Sequence, residues 1–160
     1  MRTIVIYYSL TGTTARVAER IANAMHADLL KIELVQEPAK SGVLRLPKMA
    51  LQTLLFHKAV LKGGIPDLSL YDHVFIGGPI WFRRIPPGVR RFIAQVNMHE
   101  KIVIPFCTYD DSMGCYFQDL RRATPMVKYY FGMGFKQTAS LSQEALDEQI
   151  RLWVNNIKSA

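Results

Sequence analysis

A turn rich in hydroxyl residues joins the first apolar run of the chain to a segment with helical periodicity. The run Thr3–Tyr8 is typical of a buried strand, and Ser9-Leu-Thr-Gly-Thr-Thr14 leads directly into the amphipathic segment 15–22. Such a turn directs backbone N–H groups and side-chain hydroxyls to one place above a helix N-terminus, which suits a phosphate dianion without a lysine. These residues predict a site for the terminal phosphate of a nucleotide-like cofactor. The alternative is a plain strand-to-helix turn that is capped by Thr13 or Thr14.

Two later loops carry residues that a flat aromatic ligand would use. Gly77-Gly-Pro-Ile-Trp-Phe82 follows one apolar run, and the loop 107–114 follows the next. Trp81 or Phe82 offers an aromatic face on which a broad, apolar ring system can stack. The alternative for Trp81 is an ordinary place in the core.

Five apolar runs alternate with segments of helical period. The predicted strands are Thr3–Tyr8, Leu29–Val35, His73–Gly77, Lys101–Cys107 and Val127–Phe135. Helices are predicted in the segment after Thr14, from about Lys48 to Lys62, from Pro86 to about Val96, within Thr108–Ala123, and after Ser142 as the cap of the C-terminal helix. Near-continuous apolar strands between amphipathic helices indicate a parallel sheet covered on both faces. Ligands of such sheets bind beyond the strand carboxyl ends, so we expect the three loops to lie together.

Composition limits the class of protein. The 160 residues predict one domain (1–160), and hydrophobic (49%) and charged (21%) contents are those of a soluble globular protein. No run is long enough for an integral membrane segment and no secretion signal is recognisable, so the expected location is cytoplasmic. Cys107 and Cys115 are expected to be reduced thiols, the former packed at a strand end. No metal-ligand spacing, Ser-His-Asp order or dinucleotide glycine motif occurs, which disfavours a metal site, a hydrolase and a classical nicotinamide domain.

The net charge of +7 is unevenly spread. Segment 39–66 holds five basic residues and no acid, and segment 73–99 holds four basic residues and no acid. Neither segment shows the interleaved aromatics or reading helix of a nucleic-acid binder, so no nucleic-acid partner is expected.

The first two loops resemble those of the flavodoxins. Ser9-Leu-Thr-Gly-Thr-Thr14 is similar to their phosphate loop (Ser or Thr, any residue, then Thr-Gly-any-Thr), and Gly77–Phe82 is similar to the Gly-any-Pro-Ile-Trp-Trp or Trp-Phe segment of short flavodoxin-like proteins. The resemblance implies an α/β fold, a flavodoxin-like three-layer α/β/α sandwich with a five-stranded parallel sheet in the order 2-1-3-4-5, and FMN as the cofactor. No extra segment interrupts the fifth predicted strand, so the chain resembles the short-chain form.

The resemblance also implies a role for each loop. Hydroxyls and amides of the first loop would hold the FMN phosphate, Trp81 or Phe82 would shield one face of the isoalloxazine, and amides near Ile80 and Trp81 would meet its polar edge. The candidate cofactor-binding residues are Ser9, Leu10, Thr11, Gly12, Thr13, Thr14, Pro79, Ile80, Trp81, Phe82, Thr108, Tyr109, Asp110 and Asp111.

The third loop departs from the family pattern. Flavodoxin-like proteins generally carry Thr-Ser-Gly-Gly or similar there, whereas this chain has Tyr109, Asp110 and Asp111. Tyr109 would stack on the exposed face of the flavin. The carboxylates would disfavour a negatively charged reduced flavin and lower its midpoint potential. The alternative is that the two acids form a solvated turn and helix cap.

The predicted function is that of an FMN-binding redox protein, either an electron carrier or a small FMN-dependent oxidoreductase. Its partner would be a redox protein or a small nicotinamide or quinone molecule. Arg83-Arg84 would recognise an acidic partner face or nicotinamide phosphates, or would be ordinary solvated arginines. The segment Met49–Leu61 is apolar on more than one face, which suits a homodimer contact, a cover over the flavin edge or a packed core helix. The alternative function is a binding or regulatory module of flavodoxin fold that has lost FMN.

Overall fold

Helices and strands alternate along most of the chain, and two strands precede the last helix. The computed structural model describes residues 2–38, 45–55 and 58–159. In chain order the elements are β1 Thr3–Tyr8, α1 Thr13–Met25, β2 Asp28–Ile32, α2 Arg45–Leu54, β3 His73–Pro79, α3 Pro87–Ile93, β4 Ile102–Tyr109, α4 Tyr116–Ala123, β5 Lys128–Tyr129, β6 Met133–Lys136 and α5 Gln143–Lys158.

The strands form one parallel sheet in the order β2-β1-β3-β4-β5, with β6 also paired to β4. The predicted order 2-1-3-4-5 is therefore confirmed. The chain runs from β1 outward to β2 and then returns to the other side of β1 as β3. The strand order thus reverses between β1 and β3, and a crevice is expected beyond their carboxyl ends.

Two apolar layers enclose the sheet because successive side chains of a strand point to opposite faces. In β1, Ile4, Ile6 and Tyr8 pack with α3 and α4, whereas Val5 and Tyr7 pack with α1 and α5. The helical side chains at these contacts include Val89, Phe92, Tyr116 and Leu120 on the first face, and Val17, Ile21, Leu146 and Trp153 on the second. The three-layer α/β/α arrangement is confirmed.

The fifth predicted strand, 127–135, is divided into β5 and β6. The Val103 carbonyl accepts a hydrogen bond from the Tyr130 N–H at 3.0 Å. Backbone groups two residues apart along a strand face the same neighbouring strand. Pro105 therefore faces the fifth strand as Val103 does, but it has no N–H to donate to it. Residues 130–132 consequently lie opposite only two residues of β4, which is a bulge.

Other boundaries also differ from the sequence prediction. The helix α2 begins at Arg45 and ends at Leu54 instead of spanning 48–62, and Phe56 and His57 lie outside the described residues. The strand β2 ends at Ile32, after which Leu34 makes an isolated antiparallel bridge to Leu61. The strands β3 and β4 are longer than predicted because their pairing continues to Pro79 and Thr108.

A tyrosine hydroxyl is buried beneath the sheet end without a partner among the described residues. Tyr116, the first residue of α4, is fully buried, and its hydroxyl makes no hydrogen bond within that part of the chain. Burial raises the pKa of Tyr116 well above its ordinary value. Burial also raises the pKa of the nearby Cys107 thiol to about 12. This buried thiol agrees with its predicted place at a strand end.

Replacing Tyr116 with phenylalanine is expected to raise the free energy of unfolding by about 1 kcal/mol, because an unsatisfied buried hydroxyl is removed. The matched change is Tyr8→Phe, since the Tyr8 hydroxyl is also buried but donates to Glu37 Oε2 at 2.5 Å. The free energy of unfolding of Tyr8→Phe should fall by roughly 2 kcal/mol. Urea unfolding of both variants measures the difference. A lower stability for Tyr116→Phe would show that this hydroxyl has a partner after all.

Candidate functional site

A cleft of about 210 Å³ lies beyond the carboxyl ends of β1, β3 and β4. The lining residues are Ser9, Leu10, Thr11, Thr13, Thr14, Met49, Pro79, Ile80, Trp81, Thr108, Tyr109, Asp110, Thr138 and Ala139. The structure therefore brings together eleven of the fourteen residues predicted from sequence. The other three, Gly12, Phe82 and Asp111, are exposed and stand outside this lining.

The first loop turns into α1 at Gly12. Gly12 has φ +94°, a left-handed conformation that favours glycine, and its N–H donates to Ser9 Oγ at 3.2 Å. Gly12 is itself the N-cap, and no side chain caps the helix, so neither Thr13 nor Thr14 has the alternative capping role. The hydroxyls of Thr11 and Thr13 lie 3.4 Å apart at the mouth of the cleft. The helix start thus has hydroxyl donors beside amides that no side chain caps, an arrangement that binds anions.

A buried hydrogen bond connects the first and third loops. The hydroxyls of Thr14 and Thr108 are 2.8 Å apart, and both residues are almost fully buried. The Thr108 carbonyl accepts from the Ile80 N–H at 3.0 Å, which attaches the second loop to the same point. All three loops are therefore fixed to one another at the cleft.

The second loop is a two-residue reverse turn. Trp81 and Arg84 exchange both backbone hydrogen bonds, at 3.1 and 2.9 Å, and Phe82 and Arg83 both have positive φ, at +48° and +63°. The amides of Ile80 and Trp81, predicted to meet a flavin edge, thus have partners within the protein. The two proposed roles of Trp81 are compatible, because its side chain is buried edge-on against Tyr8 and also lines the cleft.

Two residues of the α4 region, Asp119 and Cys115, support this turn. Arg84 Nε donates to the buried Asp119 of α4 at 2.6 Å, and this hydrogen bond raises the pKa of the Arg84 guanidinium. The Arg83 carbonyl accepts from the Cys115 N–H at 2.9 Å. Arg84 therefore has a structural partner, while Arg83 is left at the surface.

The tyrosine and the two acids of the third loop lie in different surroundings. Tyr109 ends β4 and is partly buried, and its carbonyl accepts from the Gln137 N–H at 2.7 Å. Asp110 and Asp111 are both exposed, and Asp110 lines the cleft, whereas Asp111 does not. Neither acid caps α4, whose N-cap is Cys115 without a capping side chain.

Two further parts of the chain reach the cleft. Thr138 and Ala139 come from the loop after β6, which Arg16 holds by donating to the carbonyls of Thr138 and Leu141 at 2.9 Å each. Met49 reaches the cleft from α2, as a cover over the site would, although Leu51 and Leu54 of that helix are exposed. The place of Thr138 at the cleft could have been predicted from the sequence, because every loop after a parallel strand lies at this edge of the sheet.

An open parallel sheet with a cleft at its switch point defines a doubly wound α/β protein. The family model described as Flavodoxin matches residues 2–157, and the chain belongs to the flavodoxin family. No curated protein matches the chain.

Several solved structures share this fold. A candidate flavoprotein from Bacteroides uniformis is 26% identical, with a TM-score of 0.82 and coverage of 96% of this chain and 97% of that one. A second, from Bacteroides eggerthii, is 26% identical, with a TM-score of 0.80 and coverage of 98% of both chains. A flavoprotein from Lactobacillus acidophilus in complex with FMN shares the fold at 18% identity, with a TM-score of 0.72 and coverage of 83% of this chain and 92% of that one.

Neither a membrane-spanning helix nor a metal-binding cluster occurs among the described residues. Within residues 2–38, 45–55 and 58–159, no helix has the length and apolar character to cross a membrane. The same residues contain no group of three or more His, Cys, Asp or Glu that could hold a metal ion.

Proposed function

We propose that this protein binds FMN in the cleft and transfers electrons, as a carrier or as a small FMN-dependent oxidoreductase. The observation that carries the proposal is the phosphate-type start of α1, where Gly12 has φ +94° and no side chain caps the helix, beside a cleft that contains Thr13, Trp81 and Tyr109. Family membership supports the same cofactor.

The donor set of the first loop fits a phosphate. Thr11 and Thr13 have hydroxyls near the surface, and a Cβ placed on Gly12 would meet nothing within 4 Å, so a ligand has room there. The Arg16 guanidinium already donates to carbonyls of the loop after β6. Hydroxyls, amides and the helix dipole would therefore stabilise the negative charge of the phosphate. The dianion is thus held by donors that are already in place.

The rest of the cleft suits a flat ring. Trp81, Tyr109 and Met49 supply apolar surface, and Asp110 adds a carboxylate at the lining. Bound FMN would supply one- or two-electron transfer, and the chain would orient it and tune its potential. We retain the prediction that the Asp110 carboxylate lowers this potential.

The proposal also includes the number of domains, the location of the protein and the class of its electron partner. We infer one domain over 1–160 and a cytoplasmic location, which the free thiols of Cys107 and Cys115 support. The electron partner is either a redox protein or a small nicotinamide or quinone molecule. Steady-state assays with NADH, NADPH and a quinone separate an oxidoreductase, which turns over, from a carrier, which does not.

The second candidate function is a flavodoxin-fold module without FMN. The observation that favours it is the third loop, where Tyr109 and Asp110 occupy the cleft lining in place of small residues. Titration of the purified protein with FMN, followed by the quenching of flavin fluorescence, decides between them. A protein that leaves excess FMN fluorescent contradicts the proposed function.

Replacing Thr13 with alanine is expected to weaken FMN binding about tenfold, because one hydroxyl donor to a charged phosphate is lost. Riboflavin has no phosphate, so its affinity should be much lower than that of FMN and should not change with the mutation. Fluorescence titrations with both flavins measure the two affinities.

The control is Ser69→Ala, which removes an exposed hydroxyl that bonds only to Asp67 among the described contacts, away from the cleft. This variant should bind FMN as the unmodified protein does. Equal affinities of the unmodified protein for FMN and riboflavin would contradict a phosphate site in the first loop.

A further inference from the structure

The two helical layers of the protein differ sharply in charge. The helices α1 and α5 together carry four basic and four acidic residues. Some of these charges are paired, as in Arg20 with Asp147 and Arg151 with Glu148, both at 2.7 Å. This layer has no net charge.

The opposite layer is strongly basic. The helices α3 and α4 hold four basic residues and one acid, and the turn before α3 adds Arg83 and Arg84. The acid is Asp119, which is buried and already bonded to Arg84. We call this surface the arginine face, which comprises Arg83, Arg84, Arg90, Arg91, Arg121 and Arg122.

Structural contacts hold the arginine face together as one surface. The helices α3 and α4 lie on the same side of the sheet and contact each other. The turn that carries Arg83 is attached to the start of α4 by the bond from the Cys115 N–H and by the ion pair of Arg84 with Asp119. Basic residues from three adjoining elements thereby lie on one side of the sheet.

The composition of this surface is that of a protein interface. Its cations are all arginines, and arginine pairs bidentately with carboxylates. Exposed apolar side chains accompany them, namely Phe82, Met113 and Met126. Arginine, methionine and aromatic residues are enriched at protein interfaces, whereas lysine is depleted.

The arginine face also begins beside the cleft. Arg83 is two residues from Trp81, which lines the cleft, and Met113 follows the third loop. A protein that docks over Arg83 would therefore lie next to the proposed flavin, whereas the last turns of α3 and α4 carry the arginines that lie farther from it.

We propose that the arginine face is the docking surface for an acidic redox protein that exchanges electrons with the cleft. The inference rests on the proposed function and names the partner's chemistry, a surface rich in Asp and Glu. Opposite charges would steer the encounter, and Phe82, Met113 and Met126 would supply the apolar contacts.

The test uses the full chain, and an acidic [2Fe–2S] ferredoxin is the probe. Binding is measured by NMR shifts of the ¹⁵N-labelled protein at low and high ionic strength, with and without FMN. The test variant is Arg83→Glu/Arg122→Glu, at two exposed positions. The control is Arg151→Glu/Lys158→Glu on α5, which changes the net charge equally.

The expected result is shifted signals on α3 and α4, affinity that falls with salt, and a loss of about tenfold or more in the test variant. The control should stay within about twofold of the unmodified protein, because its changes lie on the neutral layer. FMN titrations of both variants should be unchanged. Ferredoxin binding by a protein that does not take FMN would overturn the proposed function but support the docking surface.

Other results would overturn the docking proposal. Equal losses in the test and control variants would show that net charge, not this surface, governs binding. Absence of ferredoxin binding would exclude the partner class. The docking proposal is also wrong if phosphatidylserine vesicles or single-stranded DNA bind through Arg83 and Arg122 while ferredoxin does not bind.

Discussion

Replacing Gly114 with alanine is expected to destabilise the protein by roughly 3 kcal/mol, the sum of a left-handed backbone penalty and a steric clash. Gly114 has φ +52°, and a Cβ there would lie 2.4 Å from the Arg83 carbonyl oxygen and 2.6 Å from the Arg83 Cα. These are backbone atoms, so no side-chain rotation relieves the contact. The turn that carries Trp81 must move, and FMN affinity should fall about tenfold, equivalent to 1.4 kcal/mol.

Thermal unfolding and flavin titration measure the two effects of Gly114→Ala. The melting temperature should fall by roughly 10 °C, since each kcal/mol corresponds to a few degrees in a chain of this size. Gly64→Ala is the matched control, because Gly64 has no positive φ and its Cβ would meet nothing within 4 Å. An unchanged FMN affinity in a destabilised Gly114→Ala protein would show that the turn does not position the cleft.

Replacing Gly77 with alanine is expected to cost about 3 kcal/mol, because extra volume is forced into a packed core. Gly77 lies in β3 opposite Phe106 of β4, and its Cβ would fall 2.3 Å from the Phe106 ring. Phe106 is fully buried, so the ring has little room to move away. Urea unfolding should show the loss as a lower midpoint.

A double-mutant cycle tests whether this clash is the cause. Phe106→Leu alone should destabilise the protein by leaving a cavity, whereas Gly77→Ala/Phe106→Leu should lose less than the sum of the single changes. Additive losses would place the effect of Gly77→Ala elsewhere, for example in the backbone of β3.

The position of the site could be predicted from sequence because it follows from topology. Apolar strands alternating with amphipathic helices predict a parallel sheet, and in such a sheet the loops after strands lie at one edge. The residues Thr14 and Thr108 are 94 positions apart, yet this rule alone places them together, and the structure joins their hydroxyls.

Features that depend on tertiary packing could not be predicted. Phe82 and Arg83 do not signal a turn with positive φ, since glycine or asparagine usually occupies such positions. The turn is held instead by Asp119 and Cys115, which come from a distant helix. The division of the fifth strand likewise depends on Pro105, which lies in a different strand from the one it interrupts.

The bulge beside Pro105 has a consequence for self-association. A regular outer strand offers a ladder of evenly spaced donors and acceptors on which another polypeptide can polymerise. Here the outer ladder is two residues in β5 and four in β6, separated by residues that are out of register. The interrupted ladder therefore disfavours extension of the sheet by a second polypeptide on this side.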